Sequence, residues 1–202
     1  MTTPAERQQK RTLLIVLILN AMLFAALGIG GLVGDSSALL ANAADNASDA
    51  VVYLLSFLAV GRAGAWKRRA ARVSGVMLLV FAVAVLLDAS RRWLFGAEPV
   101  GGTMMGLALV AAAVNLACLW LLQRIDSDDV NLRAARTFSF NDFASNGGIL
   151  VAGALVLWLK APWPDLVVGA LVAAIAVKGG VEILKDARRP ESDAPGGGAA
   201  ND

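Results

Sequence analysis

Apolar stretches close to twenty residues long recur along this 202-residue chain, and no other feature restricts its fold as much. The first is TLLIVLILNAMLFAALGIGGLVG, residues 12–34. As a helix, such a stretch spans about 30 Å, the depth of a bilayer's hydrocarbon core. Only helices and closed barrels cross lipid, because each backbone N–H and C=O must find its partner inside the protein. The stretches do not alternate with period two, which argues against a membrane barrel. Composition agrees, with 57% hydrophobic and 17% charged residues and a mean hydropathy of +0.64. The expected fold is all-α, a six-helix transmembrane bundle.

Six spans are predicted: Thr12–Val33, Ser37–Val60, Val73–Phe95, Thr103–Leu122, Ala135–Leu159 and Asp165–Leu184. Residues 1–11 form an N-terminal tail, 12–187 the membrane unit, and 188–202 a polar tail rich in Gly and Pro, read as disordered and too short to bury a core. The first apolar run is longer than a signal-peptide core, so it is read as an uncleaved helix. Basic residues gather on alternate connections: Arg7, Lys10 and Arg11, then Arg62 to Arg72, then Arg124, Arg133 and Arg136, then Lys185, Arg188 and Arg189. The other side has Arg91, Arg92 and Lys160. The positive-inside rule places both termini in the cytoplasm, and Trp93, Phe95, Trp158 and Trp163 form an aromatic belt at the opposite face. This topology accounts for the basic isoelectric point of about 9.0 without nucleic acid. The single cysteine, Cys118, allows no disulfide within the chain and reads as a packing residue. With no histidine, His-based catalysis and His metal ligands are excluded.

Against this background the acids inside the spans stand out. An Asp at a helix centre costs about 2.5–3.5 kcal/mol on insertion scales. Asp45, Asp49 and Asp142 all lie well inside. A membrane chain keeps such groups where they face a polar cavity and act there; the alternative is a buried network that only fixes packing. Asp45 and Asp49 are one turn apart on one helix face, with Asn42 a turn earlier. Two carboxylates that close repel, so without a cation at least one should hold a proton, and a divalent cation displaces it. Metal binding and proton release are then linked through the same groups. The fifth span offers a counterpart in FNDFASNGGIL, where Asp142 and Asn146 are one turn apart and Asn141 is adjacent. Oxygen donors of this kind suit hard or borderline divalent ions, and zinc accepts carboxylates too.

With these residues in view, the chain resembles the cation diffusion facilitator family. GDSSALLANAADNASDA resembles the family's second-span lead-in, with D-x-x-x-D at Asp45 and Asp49. FSFNDFASNGGI resembles its fifth-span motif, with Asp142 at the acidic position followed by Asn146-Gly147. Asn20 matches a polar position of the first span, and the likeness covers about residues 12–187. The resemblance implies a proton-coupled exporter of divalent metals, zinc first, with cadmium, cobalt, iron(II) and manganese open. It implies a metal site of Asp45, Asp49 and Asp142, completed by Asn141, Asn146, Asn42 or water. It also implies no permanently bound cofactor, no enzymatic activity, a homodimer, and a place in the inner membrane of a bacterium. Two departures matter. Phe138 stands where the family has histidine, although SFND resembles an alternative pattern in which Asn141 or Ser139 takes that place. The family's C-terminal cytoplasmic domain is also expected to be absent, so a dimer would rest on the spans. The rival is a non-transporting membrane scaffold or accessory subunit that lost a ligand at Phe138; an ion channel is a weaker third.

Other features have plainer explanations. Gly28 to Gly34 suits close helix packing. The sequon at Asn46 to Ser48 is a chance match at membrane depth. Lys178 and Glu182 read as a snorkelling pair with a gating role as the alternative, and Asp88 as a partner of Arg91 and Arg92 with a proton or metal path as the alternative. Asp126, Asp128 and Asp129 read as a solvated loop.

Overall fold

The structure is a computed structural model. It describes the backbone of residues 4–59, 64–124 and 130–186, and the side chains of 7–55, 57–58, 72–73, 75–124, 142–143 and 145–185. The side chains of Phe138, Ser139 and Asn141 therefore lie outside the described residues, as do Asp126, Asp128, Asp129 and the tail 188–202.

Among the described residues, six helices occupy the six predicted spans: α1 (Pro4–Val33), α2 (Ser37–Ala59), α3 (Gly64–Phe95), α4 (Gly101–Gln123), α5 (Val130–Leu159) and α6 (Trp163–Asp186). There is no strand among the described residues. Helices α1, α3 and α5 begin earlier than the apolar pattern suggests, at Pro4, Gly64 and Val130. Their added turns are rich in Arg, Lys, Gln and Ala, good helix formers that carry each helix beyond its apolar core. Among the described residues, Arg7–Val33, Gly101–Gln123 and Trp163–Lys185 are long and apolar enough to cross a membrane, and Ser145–Leu159 is a shorter apolar stretch. The acids and amides of α2 dilute its apolar character.

The chain runs up and down. The α1–α2, α3–α4 and α5–α6 connections share one end, called here the turn end; the starts of α1, α3 and α5 share the other. Left-handed backbone makes two of the turns, at Asp35 (φ 50°) and Lys160 (φ 50°). At the first, the N–H of Gly34 donates to the Gly30 carbonyl at 2.7 Å and that of Ser36 to Gly31 at 2.9 Å, closing α1 so that α2 starts at once.

Helices α1, α2, α4 and α5 surround two apolar clusters. The one nearer the turn end contains Leu23, Leu27, Leu39, Met104, Ala111 and Ile149. The one nearer the other end contains Leu13, Val16, Tyr53, Cys118 and Leu122. Val114 packs against both. Helices α3 and α6 lie outside this group and meet it mainly at α2, where Ala41 and Ala44 face Val85, Val172 and Ala173, while Val168 of α6 also packs directly against the first cluster. Two pairs approach backbone to backbone. A Cβ at Gly101 would stand 2.6 Å from the Gly153 carbonyl oxygen, linking α4 to α5. Cβ atoms at Gly75 and Gly180 would each stand 3.1 Å from the other's carbonyl, linking α3 to α6. Small residues at such contacts let membrane helices pack by close dispersion contact, which lipid cannot match.

The turn end is held by charge. Arg92, only 4% exposed, pairs with Asp88 on its own helix and with Asp35 in the α1–α2 turn. Asp35 also accepts the Glu98 N–H at 2.7 Å, and Val100 donates to the Gly34 carbonyl at 2.9 Å. The expected Asp88–Arg91–Arg92 grouping is present, with Arg91 at 3.2 Å from Asp88. Asp35 joins it across the fold.

Candidate metal site

The polar residues of α2 fall on one face. Asn42, Asn46, Asp49 and Tyr53 recur at three- or four-residue steps and all are buried. Asp49 meets Asp142 of α5, the two carboxyl groups in direct side-chain contact, and the charge of Asp45 acts on both. Asp45 lies one turn toward the turn end and is half-buried. Asp142 is 5% exposed. The Oδ2 atoms of Asp49 and Asp142 are both buried without a hydrogen-bond partner. Buried polar atoms are rarely left unpaired, and oxygens in this condition suit a cation.

An amide brace stands next to the acids. Asn42 donates to Asn146 Oδ1 at 2.7 Å, tying α2 to α5. Asn46 donates to the Asn42 carbonyl at 2.9 Å and to Asn42 Oδ1 at 3.2 Å, and Asn146 donates to the Asp142 carbonyl at 2.8 Å. Asn42 and Asn146, expected as ligands, thus have their side-chain oxygens already engaged. Asn46 Oδ1 has no partner, although Asn46 was set aside in the sequence as a chance sequon.

The other expected positions lie elsewhere. Asp88 belongs to the turn-end cluster. Lys178 and Glu182 pair at 3.9 Å on an open face of α6, 78% and 62% exposed. Cys118 is buried among Leu13, Val16 and Tyr53, within electrostatic range of Asp49 and Asp142. Among the described residues, no three His, Cys, Asp or Glu side chains are gathered into a group able to hold an ion by themselves. The acids therefore form a facing pair with a third carboxylate nearby, and any fuller shell would draw on neutral oxygens.

Asp165 escaped the sequence reading as more than the start of a span. It is fully buried and caps the wrong helix: its carboxylate accepts the Ser36 hydroxyl, the Ser37 N–H at 2.7 Å and the Ala38 N–H at 3.1 Å. The first amides of α2 are thus satisfied from α6, where their partial positive charge favours an anion. Ser36 Oγ in turn accepts the Leu39 N–H at 3.1 Å, an ordinary N-cap. The sequence signal was only a Ser pair before the helix and an Asp far downstream.

Fold and site together define a helical membrane bundle with buried acids and amides suited to a cation. The profile of the cation efflux transmembrane domain matches residues 13–189, and the chain belongs to this family, the cation diffusion facilitators, which are transporters and not enzymes. It is similar to the zinc transporter ZitB of Escherichia coli (strain K12), 26% identical over 171 residues, covering 78% of this chain and 55% of that protein. It is also similar to proteins named cadmium, cobalt and zinc/H(+)-K(+) antiporter. The one from Bacillus velezensis is 24% identical over 191 residues, covering 88% of this chain and 61% of the relative. The one from Bacillus subtilis (strain 168) is 23% identical over 195 residues, covering 90% and 63%. The chain spans somewhat over half the length of these relatives, and the shared part is their transmembrane region.

Proposed function

We propose that this protein exports divalent metal ions from the cytoplasm in exchange for protons, with zinc the first candidate and cadmium, cobalt, iron(II) and manganese the others. The observation that carries this is the contact of Asp49 with Asp142, each with a buried oxygen lacking a partner. Two facing carboxylates repel unless a proton or a cation lies between them, so the two cargoes compete for one place. Asp45 contributes a third charge one turn away, and Asn42 and Asn146 hold α2 and α5 at the spacing the pair needs. Asn141 lies beside Asp142 in sequence and is a further oxygen donor in this proposal.

The names of the relatives favour zinc with cadmium and cobalt, and proton antiport. Membrane insertion with both termini in the cytoplasm is supported by Arg7, Lys10, Arg11, Arg72, Arg124 and Lys185 at the end opposite the turns. There Arg124 lies 3.5 Å from the centroid of the Trp120 ring, an interfacial type of pair. The homodimer expected of the family would form through the apolar outer faces of the helices.

The test is metal uptake into everted vesicles or proteoliposomes carrying an internal pH dye, over a panel of divalent ions. Proton flux opposite to one metal, lost in Asp142→Ala, is the expected result. Silence across the panel from folded, inserted protein would instead favour the scaffold.

A further inference from the structure

The unpartnered buried atoms are not confined to α2 and α5. Asn20 on α1 and Asn115 on α4 are each 1% exposed; Asn20 Oδ1 and Asn115 Nδ2 have no hydrogen-bond partner. Asn20 uses its own N–H on the Val16 carbonyl at 2.9 Å, which leaves its oxygen free to face elsewhere.

Register places all four side chains at one depth. Close contacts set Gly153 against Met104 and Met105, and Gly101 against Gly153 and Leu157, along antiparallel α4 and α5. Carried down the pair, that register puts Asn115 opposite Asp142. Gly30 meets Leu107 and Gly34 meets Thr103 along α1 and α4, which brings Asn20 to the level of Asn115. Gly28 meets Ala43 and Gly31 meets Leu40 along α1 and α2, which brings Asn20 to the level of Asp49. At 1.5 Å per residue the four agree in depth to within about 3 Å. The apolar clusters confirm the level. Asn20 falls between Val16 of one cluster and Leu23 of the other, and Asn115 between Cys118 and Ala111. Four helices thus each contribute one buried polar side chain to a single layer, with the Asn42, Asn46 and Asn146 amides on its turn side and the apolar cluster of Leu13 and Leu122 on the other.

We propose that Asn20 and Asn115 are ligating positions that complete, with Asp49 and Asp142 binding through one or both oxygens, an oxygen-only site of coordination number above four for a divalent cation. This deepens the proposed function and rests on it. The chemistry suits the layer. The carboxylates supply charge but too few groups, and an amide supplies oxygen without adding repulsion. An amide also turns over by rotation about its last side-chain bond. Asn115, whose Nδ2 has no partner, can by this turn present its oxygen to a bound ion. A histidine-free site built this way would accept hard or borderline ions that tolerate five or six oxygens, beyond a strictly tetrahedral zinc shell.

The experiment uses the full chain in nanodiscs with Co2+ as the probe, since its visible absorption reports coordination number. Asn20→Leu and Asn115→Leu are expected to weaken Co2+ binding about 10–100-fold and to strengthen the absorption toward a four-coordinate spectrum. Without metal both should melt no lower than wild type, because each removes a buried amide atom that has no partner. Asn115→Asp, close in shape, should retain Co2+ with the wild-type spectrum and a steeper pH dependence, which a packing role would not produce. If the Leu variants bind Co2+ as wild type does with an unchanged spectrum, while Asp49→Ala and Asp142→Ala abolish binding, this proposal is overturned and the exporter reading stands. If the Asp variants also bind as wild type does, or wild type binds no Co2+, the exporter site itself is wrong and the proposal falls with it.

Discussion

Asp165 on α6 holds the first turn of α2, accepting the Ser37 and Ala38 backbone N–H groups and the Ser36 hydroxyl. The helix that carries Asp45 and Asp49 therefore has its start fixed by a different helix. Replacing this carboxylate by Asp165→Ala should destabilise the protein by about 1–2 kcal/mol, the range for losing a helix cap. Thermal melting in detergent measures it. A melting temperature equal to wild type would mean that the contact contributes nothing.

Asp49→Ala and Asp142→Ala should each abolish metal-driven proton flux while leaving insertion intact. Each removes half of the facing pair that metal and proton would share in the proposed exchange. Vesicle transport with an immunoblot for inserted protein reads both quantities. Full transport in either variant would remove the pair from the mechanism.

Acidification should weaken metal binding. The carboxylates ligate only when deprotonated, so protons compete with the ion for the same oxygens and affinity falls as pH falls. Binding isotherms between mildly acidic and mildly alkaline pH would show the trend, with proton release on metal addition. Affinity independent of pH would contradict exchange at this site.

Arg92→Met should cost about 1.5–3 kcal/mol, the scale of hydrogen bonds to charged groups, because it removes the guanidinium that Asp35 and Asp88 share, leaving them only the Glu98 N–H and Arg91. Arg92→Lys should recover only part of this, since a single ammonium cannot reproduce the forked guanidinium that serves two carboxylates. Chemical or thermal denaturation of the three proteins tests the order.

Gly101→Ala should be far more damaging than Gly102→Ala. A methyl at Gly101 meets the Gly153 carbonyl oxygen at 2.6 Å, whereas one at Gly102 has nothing within 4 Å. Backbone cannot yield as a side chain does, so a loss of about 1–3 kcal/mol is expected for the first. Equal melting temperatures would show that α4 and α5 can separate freely there.

Much of this was legible in the sequence, for physical reasons. Apolar runs of bilayer length announce membrane helices, and acids spaced by four inside them announce a shared face, so α2 and its Asp pair were readable. The motif around Asp142 was readable by the same spacing. Asn46 was visible as a polar residue on the Asn42–Asp49 face, yet its sequon drew attention away. Asn115 gave almost no signal, because one amide in an apolar run shows neither which face it occupies nor what stands opposite. The link from Arg92 to Asp35, and that from Asp165 to α2, join positions far apart in the chain, and only the packed helices bring them together. Helices α1, α3 and α5 start earlier than the predicted spans because hydropathy marks where lipid ends, while helix propensity continues past it.

The two glycine crossings lie at opposite faces of the bundle: Gly101 with Gly153 beside the turns, and Gly75 with Gly180 toward the far side. Each acts as a rivet between its two helices, and the two stand at opposite depths, so no single change of side-chain size can loosen both ends of the bundle at once.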